Sequence, residues 1–261
     1  LRFRDDCLSG ELKVKSFNVK MYNVDMPTGN GFGITRYDLN VADRYRYDKN
    51  QNIDNILFMF VTCDKFEYKD RHVKLMDFLK TFKHKYIVVK GGGDKILFNE
   101  KFNTLTVDIE EIYENLPKKV VKAYKWINDN YPDISHVYKL DDDFGVNVMD
   151  YIPCNYMNYD YYGNFVVEVL ISTWHYGKCK NKDLNDKEYT KPFKSPHAGG
   201  GCGYILSKKA MQIICDNEQQ IGDDIYEDKA IGDTLFDNGI KLNVPSFSGK
   251  VRISNNKTYT I

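Results

Sequence analysis

The sequence predicts an α/β protein whose mostly parallel sheet is flanked by helices. Residues 56–61 form a continuous apolar run, which is typical of a parallel strand buried on both faces. Further runs of β-forming residues follow at 86–89, 105–107 and 137–140, and helical patterns lie between the first and second runs and between the third and fourth. Strands and helices that alternate in this way form a parallel sheet covered by helices.

The helices between these strands follow from the spacing of apolar residues. Within residues 73–82 the apolar side chains lie near one face of a helix. Within residues 109–127 they recur at helical spacing, which predicts the longest helix of the chain, and this helix ends before Pro132. A Tyr-rich segment at 161–167 predicts a later strand.

The first 52 residues have a different pattern. Apolar and polar residues alternate between Leu12 and Met21, which predicts a hairpin. The glycine-rich segment 27–33 is followed by no helical pattern, so a hairpin turn or flexible connection is favoured over a phosphate-binding loop. We expect residues 1–52 to be an accessory element or the end of a preceding domain, and residues 53–261 to form the main domain.

Composition limits the classes of partner. The 261 residues include 37 Lys and Arg and 37 Asp and Glu, so the net charge is zero and no nucleic-acid partner is expected. No apolar run is long enough to cross a bilayer, so we expect no membrane segment in this chain. Six widely spaced cysteines without a C-x-x-C pair argue against zinc and leave disulfides and buried thiols open. Because the chain begins at Leu1, we expect it to be part of a longer polypeptide.

Three adjacent carboxylates are the strongest functional signal in the chain. Asp141, Asp142 and Asp143 follow the predicted strand at 137–140 directly. Adjacent acids repel one another, and hard divalent cations take oxygen ligands of this kind. The carboxyl ends of strands in open α/β sheets are also where ligands bind. The triplet therefore predicts a metal site that serves a phosphate-bearing substrate, with a solvated acidic turn as the alternative.

Two later segments carry further candidate residues. Four glycines between Gly199 and Gly203 allow close approach of backbone to a ligand, although a tight turn between core elements is the structural alternative. Ser207 is a suitable N-cap for a helix over 208–215. Asp228 lies at the start of a last predicted helix, where a carboxylate is either a cap or a positioned base.

In this order, the segments 108–119, 139–143, 200–207 and 227–232 resemble glycosyltransferase family 31. That family includes the β-1,3-galactosyl- and N-acetylglucosaminyltransferases and the Fringe enzymes. The resemblance covers roughly residues 54–245, and its specificity comes from four motifs in the family's order, since each motif alone is common.

The resemblance implies a GT-A fold and an inverting, metal-dependent transfer of sugar from a UDP-sugar donor to a glycan or glycoprotein acceptor. The acidic triplet resembles the D-x-D motif of the family. Asp143 is then the expected direct ligand of Mn²⁺ or Mg²⁺, while Asp141 lies nearer the ribose or sugar and also belongs to the expected metal set. Asp142 is expected to assist in either role. A cation at this position would stabilise the charge that grows on the leaving diphosphate.

The resemblance also assigns the remaining site residues. Asp228 corresponds to the base that removes the proton of the acceptor hydroxyl, with Glu227 as the close competitor. Further donor contacts are expected from Lys119, Gly200, Gly201 and Gly203. Acceptor contacts are expected from Trp174, Tyr176 and Tyr204, where packing in the core is the alternative for the aromatic pair.

The chain departs from the family pattern at two places. No histidine follows His197, although family members place a metal-binding histidine near the C-terminus. The metal shell is then completed by water, phosphate or a residue such as Asn255, or metal binding is weakened. Phe193, Pro196 and His197 replace the usual Tyr-Pro-x-Tyr, so acceptor choice cannot be transferred from the family.

Two questions stay open at the level of sequence. The alternative function is a degenerate, catalytically weak GT-A domain that binds sugar or acts as a scaffold. The location is the secretory lumen if the chain is like the cellular members of the family, and the cytoplasm or a viral factory if it comes from a large DNA virus.

Overall fold

The computed structural model describes the backbone of four strands in the terminal parts of the chain, at 18–23, 35–40, 250–252 and 258–260, and the full residues 52–63, 65, 68–142, 152–153, 155–163, 166–168, 170–201 and 203–244. The chain divides into two compact units. One contains 1–51, 147–156 and 244–261, and the other contains 52–146 and 157–243. The predicted boundary between residues 52 and 53 remains a prediction.

The described strands are β1 Asn18–Asn23, β2 Thr35–Asn40, β3 Ile56–Val61, β4 Tyr86–Lys90, β5 Leu97–Asn99, β6 Thr104–Thr106, β7 His136–Asp141, β8 Tyr161–Gly163, β9 Val166–Val167, β10 His197–Ala198, β11 Tyr204–Ser207, β12 Lys250–Arg252 and β13 Thr258–Thr260. The described α-helices are α1 Lys69–Leu79, α2 Leu116–Asn130, α3 Lys182–Asn185, α4 Lys208–Asp216, α5 Glu218–Gly222 and α6 Glu227–Asp237.

The larger unit is built on a seven-stranded sheet in the order β5-β6-β4-β3-β7-β11-β8. Strands β6, β4, β3 and β7 are parallel, whereas the β5–β6, β7–β11 and β11–β8 pairs are antiparallel. All six residues of β3 are buried, as expected for a central parallel strand. This mixed sheet with its helices confirms the predicted α/β class and is consistent with a GT-A fold.

Two element boundaries differ from the sequence prediction. The helix predicted from residue 109 begins only at Leu116, because Ile112 is extended and a single 3-10 turn spans Tyr113–Asn115. Pro117 lies in the first turn of α2, where its missing N–H leaves no helical hydrogen bond unmade. The strand predicted at 161–167 is two strands, because β8 pairs with β11 in the main sheet whereas β9 pairs with β10.

The described part of the smaller unit contains two antiparallel strand pairs. Strand β1 pairs with β2, and β12 pairs with β13. The hairpin predicted near the N-terminus is present as β1–β2, whereas most of its predicted first strand and the glycine-rich segment 27–33 lie outside the described residues. Among the residues described, no helix has the length and apolar character needed to span a membrane.

Three of the six cysteines lie within the described part of the chain. Cys63, Cys179 and Cys215 are free thiols there. The other three cysteines lie outside the described residues, so disulfides among them are not addressed.

Candidate active site

The carboxyl ends of β3 and β7 meet at one edge of the sheet. Val61 pairs with Asp141 in parallel register, so Thr62 and Asp142 follow side by side. The Thr62 hydroxyl donates a hydrogen bond of 2.9 Å to Asp142 Oδ2. The Arg71 guanidinium lies 4.0 Å from Asp142 Oδ1. The two described acids of the triplet are therefore held at the strand ends, as the sequence predicts, and Asp143 lies outside the described residues.

A buried lysine connects this edge to helix α6. Lys139 lies on β7 and is fully buried, and its ammonium donates to Asp141 Oδ1 at 2.7 Å and to Glu227 Oε2 at 3.0 Å. Burial alone lowers the pKa of Lys139, but the charges of Asp141 and Glu227 outweigh burial and raise it. The ion pair therefore keeps the lysine charged inside the protein.

Glu227 is enclosed within the same network. The Tyr204 hydroxyl donates to Glu227 Oε1, and the Tyr124 hydroxyl donates to the Tyr204 hydroxyl at 3.4 Å. Burial raises the pKa of Glu227, and the Lys139 charge opposes that rise. Because both carboxylate oxygens already accept hydrogen bonds and the side chain is buried, Glu227 holds the network together and is poorly placed to take a proton from a substrate.

Asp228 is in a different environment from its neighbour. Its side chain is 29% exposed, and it lies in the first turn of α6, where the helix dipole stabilises a negative charge. The N-cap residue is Tyr226, so Asp228 is not the helix cap. Asp228 Oδ1 accepts from the N–H of Lys229 at 2.9 Å, and His197 Nε2 lies 4.0 Å from the same oxygen. The carboxylate is thus fixed by backbone but open to solvent.

The glycine-rich segment passes between the two acidic positions. The N–H of Gly200 points to Asp228 Oδ2 at 3.4 Å, while a Cβ at this position would lie under 3.0 Å from Asp141 Oδ2. Gly203 has φ +72° and packs against the backbone of β7, which excludes a side chain. Gly201 borders open space. Gly200 therefore lies between Asp141 and Asp228, and the predicted contact of the glycines with the donor remains a prediction.

The expected acceptor residues divide into exposed and buried ones. Trp174 is 41% exposed and Tyr176 is 38% exposed, so both are available to a ligand. Tyr204 is buried, with its hydroxyl on Glu227, and its predicted contact with the acceptor remains a prediction. Lys119 is also buried, and its ammonium bonds Thr62 O at 2.9 Å and Glu111 Oε1 at 2.6 Å. Its predicted contact with the nucleotide likewise remains a prediction.

Sequence reasoning did not assign two lysines that the structure places near these residues. Lys139 has a visible signal, because a lysine in the middle of a buried strand needs a counter-charge. Lys178 has no such signal: its ammonium lies 3.7 Å from the centroid of the Trp174 ring, a contact made by the fold of the loop.

The chemistry of the described acids suits a hard divalent cation, since both Asp141 and Asp142 supply carboxylate oxygen. Within the described part of the chain, no group of three His, Cys, Asp or Glu side chains is arranged to hold a metal ion. Each of these two acids already shares one oxygen with Lys139 or Thr62. A complete ligand set thus needs Asp143 or groups from the substrate or water.

The sequence model of the family described as "Galactosyltransferase" matches residues 99–245, which is more than half of the 261-residue chain. The chain belongs to the Galactosyltransferase family. The matched range contains the acidic strand end of β7, the glycine segment and helix α6. This membership confirms the resemblance to glycosyltransferase family 31 and the enzyme class that it implies, a glycosyltransferase.

This Galactosyltransferase-family chain is also similar to curated proteins. It is 27% identical over 140 residues to "UDP-GalNAc:beta-1,3-N-acetylgalactosaminyltransferase 1" of Homo sapiens, a match that covers 52% of this chain and 41% of the relative. The protein of the same name from Sus scrofa is 25% identical over 141 residues, with 53% and 42% covered. The chain therefore spans about two fifths of the length of these relatives.

Proposed function

We propose that this chain is a metal-dependent, inverting glycosyltransferase that transfers a sugar from a UDP-sugar to a hydroxyl of a glycan or glycoprotein acceptor. The observation that carries the proposal is a short series of contacts between two acidic residues in different environments, Asp141 and Asp228. Asp141 at the sheet edge bonds Lys139, Lys139 bonds Glu227, and Asp228 follows Glu227 at the start of α6. Family membership supports the same reaction class.

Asp228 is proposed as the general base. A base must be reachable by the acceptor hydroxyl and ionised at working pH. The partial exposure of Asp228 supports the first requirement, and its place in the first turn of α6 puts the side chain where the helix dipole favours negative charge. Glu227 meets neither requirement as well, since it is buried and both of its oxygens are bonded. Its proposed role is to hold Lys139.

Asp141 and Asp143 are proposed to hold Mn²⁺ or Mg²⁺, with Asp142 in support. When bound, the ion supplies the positive charge that stabilises the departing UDP diphosphate. The residues of this chain contribute by pairing Asp141 with the Lys139 ammonium and by leaving open space beside Gly201. Because the relatives are named for UDP-GalNAc, this donor is the first to test.

The test measures UDP release from UDP-GalNAc, UDP-galactose, UDP-glucose and UDP-GlcNAc, each with Mn²⁺ and with chelator. We expect one donor to give metal-dependent UDP release, because activated water replaces the acceptor slowly. D141N is expected to lose this release. D237N is the matched control, since Asp237 lies at the far end of α6 and pairs with the exposed Lys194. Loss of release in both variants would argue against a specific role for Asp141.

The alternative of a degenerate sugar-binding domain gives a different result in the same experiment. That domain binds UDP or a sugar by calorimetry but releases no UDP from any donor. The retention of an exposed, fixed Asp228 argues against it, since a binding module has no need of a base.

A further inference from the structure

A compact turn presents aromatic residues beside helix α6. In residues 171–178, here named the aromatic turn, three hydrogen bonds close successive turns: Trp174 N to Ile171 O at 3.2 Å, Tyr176 N to Thr173 O at 3.0 Å, and Lys178 N to His175 O at 3.0 Å. Trp174 and Tyr176 point outward and are partly exposed. These hydrogen bonds fix the shape of the aromatic turn, so its exposed side chains form a defined surface.

Two contacts fix the aromatic turn next to the proposed base. The Tyr226 hydroxyl lies 2.7 Å from His175 Nδ1 and accepts from the His175 N–H at 3.3 Å. Tyr226 immediately precedes Glu227 and Asp228. In addition, burial raises the pKa of Tyr113, and the negative charge of Asp228 raises it further.

Lys178 lies at the end of the aromatic turn, and its ammonium faces the rings of Trp174 and Tyr113. Its ammonium lies 3.7 Å from the centroid of the Trp174 ring and 5.6 Å from that of Tyr113. Among the described residues, no carboxylate forms an ion pair with Lys178, although exposed Lys180 beside it pairs with Glu110. Burial lowers the pKa of Lys178 to about 8, so it is mainly charged at neutral pH. Within the described part of the chain, this cation therefore contacts aromatic faces and has no anionic partner.

The position of the Lys178 ammonium limits the kinds of ligand that the aromatic turn can bind. One face of Trp174 is covered by the Lys178 ammonium, so that face is not free to stack on a neutral sugar ring. A partly desolvated cation instead gains most from an anionic group, because a charge-assisted hydrogen bond is stronger away from bulk water. The exposed part of Trp174 and Tyr176 supplies apolar surface beside it.

We propose that Lys178, with Trp174 and Tyr113, binds an acidic substituent of the acceptor glycan, such as the carboxylate of a uronic acid or a sulfate ester. This inference rests on the proposed function only in that it takes the bound sugar to be the acceptor. The binding itself needs no turnover. The acceptor class is thus an anionic sugar next to the hydroxyl that Asp228 deprotonates.

The experiment compares two probes that differ only in the acidic group. Binding of benzyl β-glucuronide and of benzyl β-glucoside is titrated by NMR in the presence of UDP and Mn²⁺, and again without them. We expect the glucuronide to bind the unmodified protein about tenfold more tightly, the size expected for one hydrogen bond to a charged group. N-acetylglucosamine 6-sulfate against N-acetylglucosamine tests whether sulfate serves as well as carboxylate.

Three variants test whether Lys178 causes the preference for the glucuronide. K178M is expected to bind both glycosides equally, and K178R is expected to keep most of the preference, because the charge is retained. K182M removes an equal charge from the exposed neighbouring helix α3 and is expected to keep the full preference. A melting curve for each variant establishes that it is folded.

The outcomes separate this inference from the proposed function. Equal or undetectable binding of both glycosides by the unmodified protein overturns the anionic-acceptor inference, whatever the result with UDP. Weaker UDP binding by K178M with an unchanged glucuronide preference also overturns it, because the cation then serves the donor. If the glucuronide preference is present but no UDP-sugar is turned over, the acidic-sugar site stands and the catalytic proposal fails.

Discussion

Replacing Lys139 by methionine removes the charge that joins the sheet edge to helix α6. Met has similar length and no charge, so K139M leaves Glu227 buried without its counter-ion and leaves Asp141 partly exposed. Removing one partner of a buried ion pair costs about 3–5 kcal/mol. At about 2–4 °C per kcal/mol for a protein of this size, the melting temperature is expected to fall by roughly 6–20 °C.

Thermal unfolding followed by circular dichroism measures this loss, with K125M as the matched control. Lys125 also pairs with a glutamate, Glu218, but its side chain is 58% exposed. Exposed ion pairs contribute little to stability, so K125M is expected to have the same melting temperature as the unmodified protein.

A double variant tests the stated cause. If the cost of K139M comes from the unpaired charge of Glu227, then K139M/E227Q removes that charge and is expected to melt above K139M. A K139M protein as stable as K125M, or a double variant in which the two losses simply add, would refute the reasoning that Lys139 holds a buried charge network.

Three further predictions concern the other parts of the site. D228N is expected to lower the rate of transfer to an acceptor by about 10²- to 10⁴-fold, the usual contribution of a general base, while UDP affinity measured by calorimetry stays unchanged. G200A is expected to lower the melting temperature, because its Cβ meets Asp141, whereas G201A adds a Cβ in open space and is expected to melt normally. Because burial lowers the pKa of Lys178 to about 8, glucuronide affinity is expected to fall above that pH toward the glucoside affinity, by about tenfold in all, while glucoside affinity stays constant. A lysine with an ordinary pKa would keep its charge to beyond pH 9. A glucuronide affinity that does not change between pH 7 and 9 would therefore contradict this last prediction.

The sequence predicts the central part of the fold well because its signals are local. The apolar run at 56–61 and the β-forming run at 137–140 lie within strands β3 and β7. Ser207 caps α4 as predicted, since its hydroxyl accepts from Ala210 N at 3.2 Å. The start of α2 was predicted too early because Ile109 and Ile112 fit the helical period by spacing alone, whereas Pro117 is favourable only in a first turn.

The motifs predict which residues belong to the candidate site, which stays a prediction, but not how those residues are connected. The motifs place Asp141, Gly200 and Asp228 in the site, yet the lysine that joins the first and last of these positions is a property of the folded chain. Lys178 is further from prediction, because its contact with Trp174 depends on the turn geometry and not on a periodic pattern. Asp143, the expected direct metal ligand, lies outside the described residues.

The Lys139–Glu227 pair also constrains the order of folding. These residues are 88 positions apart, so their contact closes a long loop and forms late relative to the local pairing of β3 with β4. Until α6 docks, the described residues offer the Lys139 ammonium only one ion-pair partner, Asp141. Pulse-labelling hydrogen exchange should therefore show the amides of α6 protected later than those of β3 and β4. A chain that stops before α6 lacks Glu227, and is therefore expected to leave Lys139 with only part of its counter-charge.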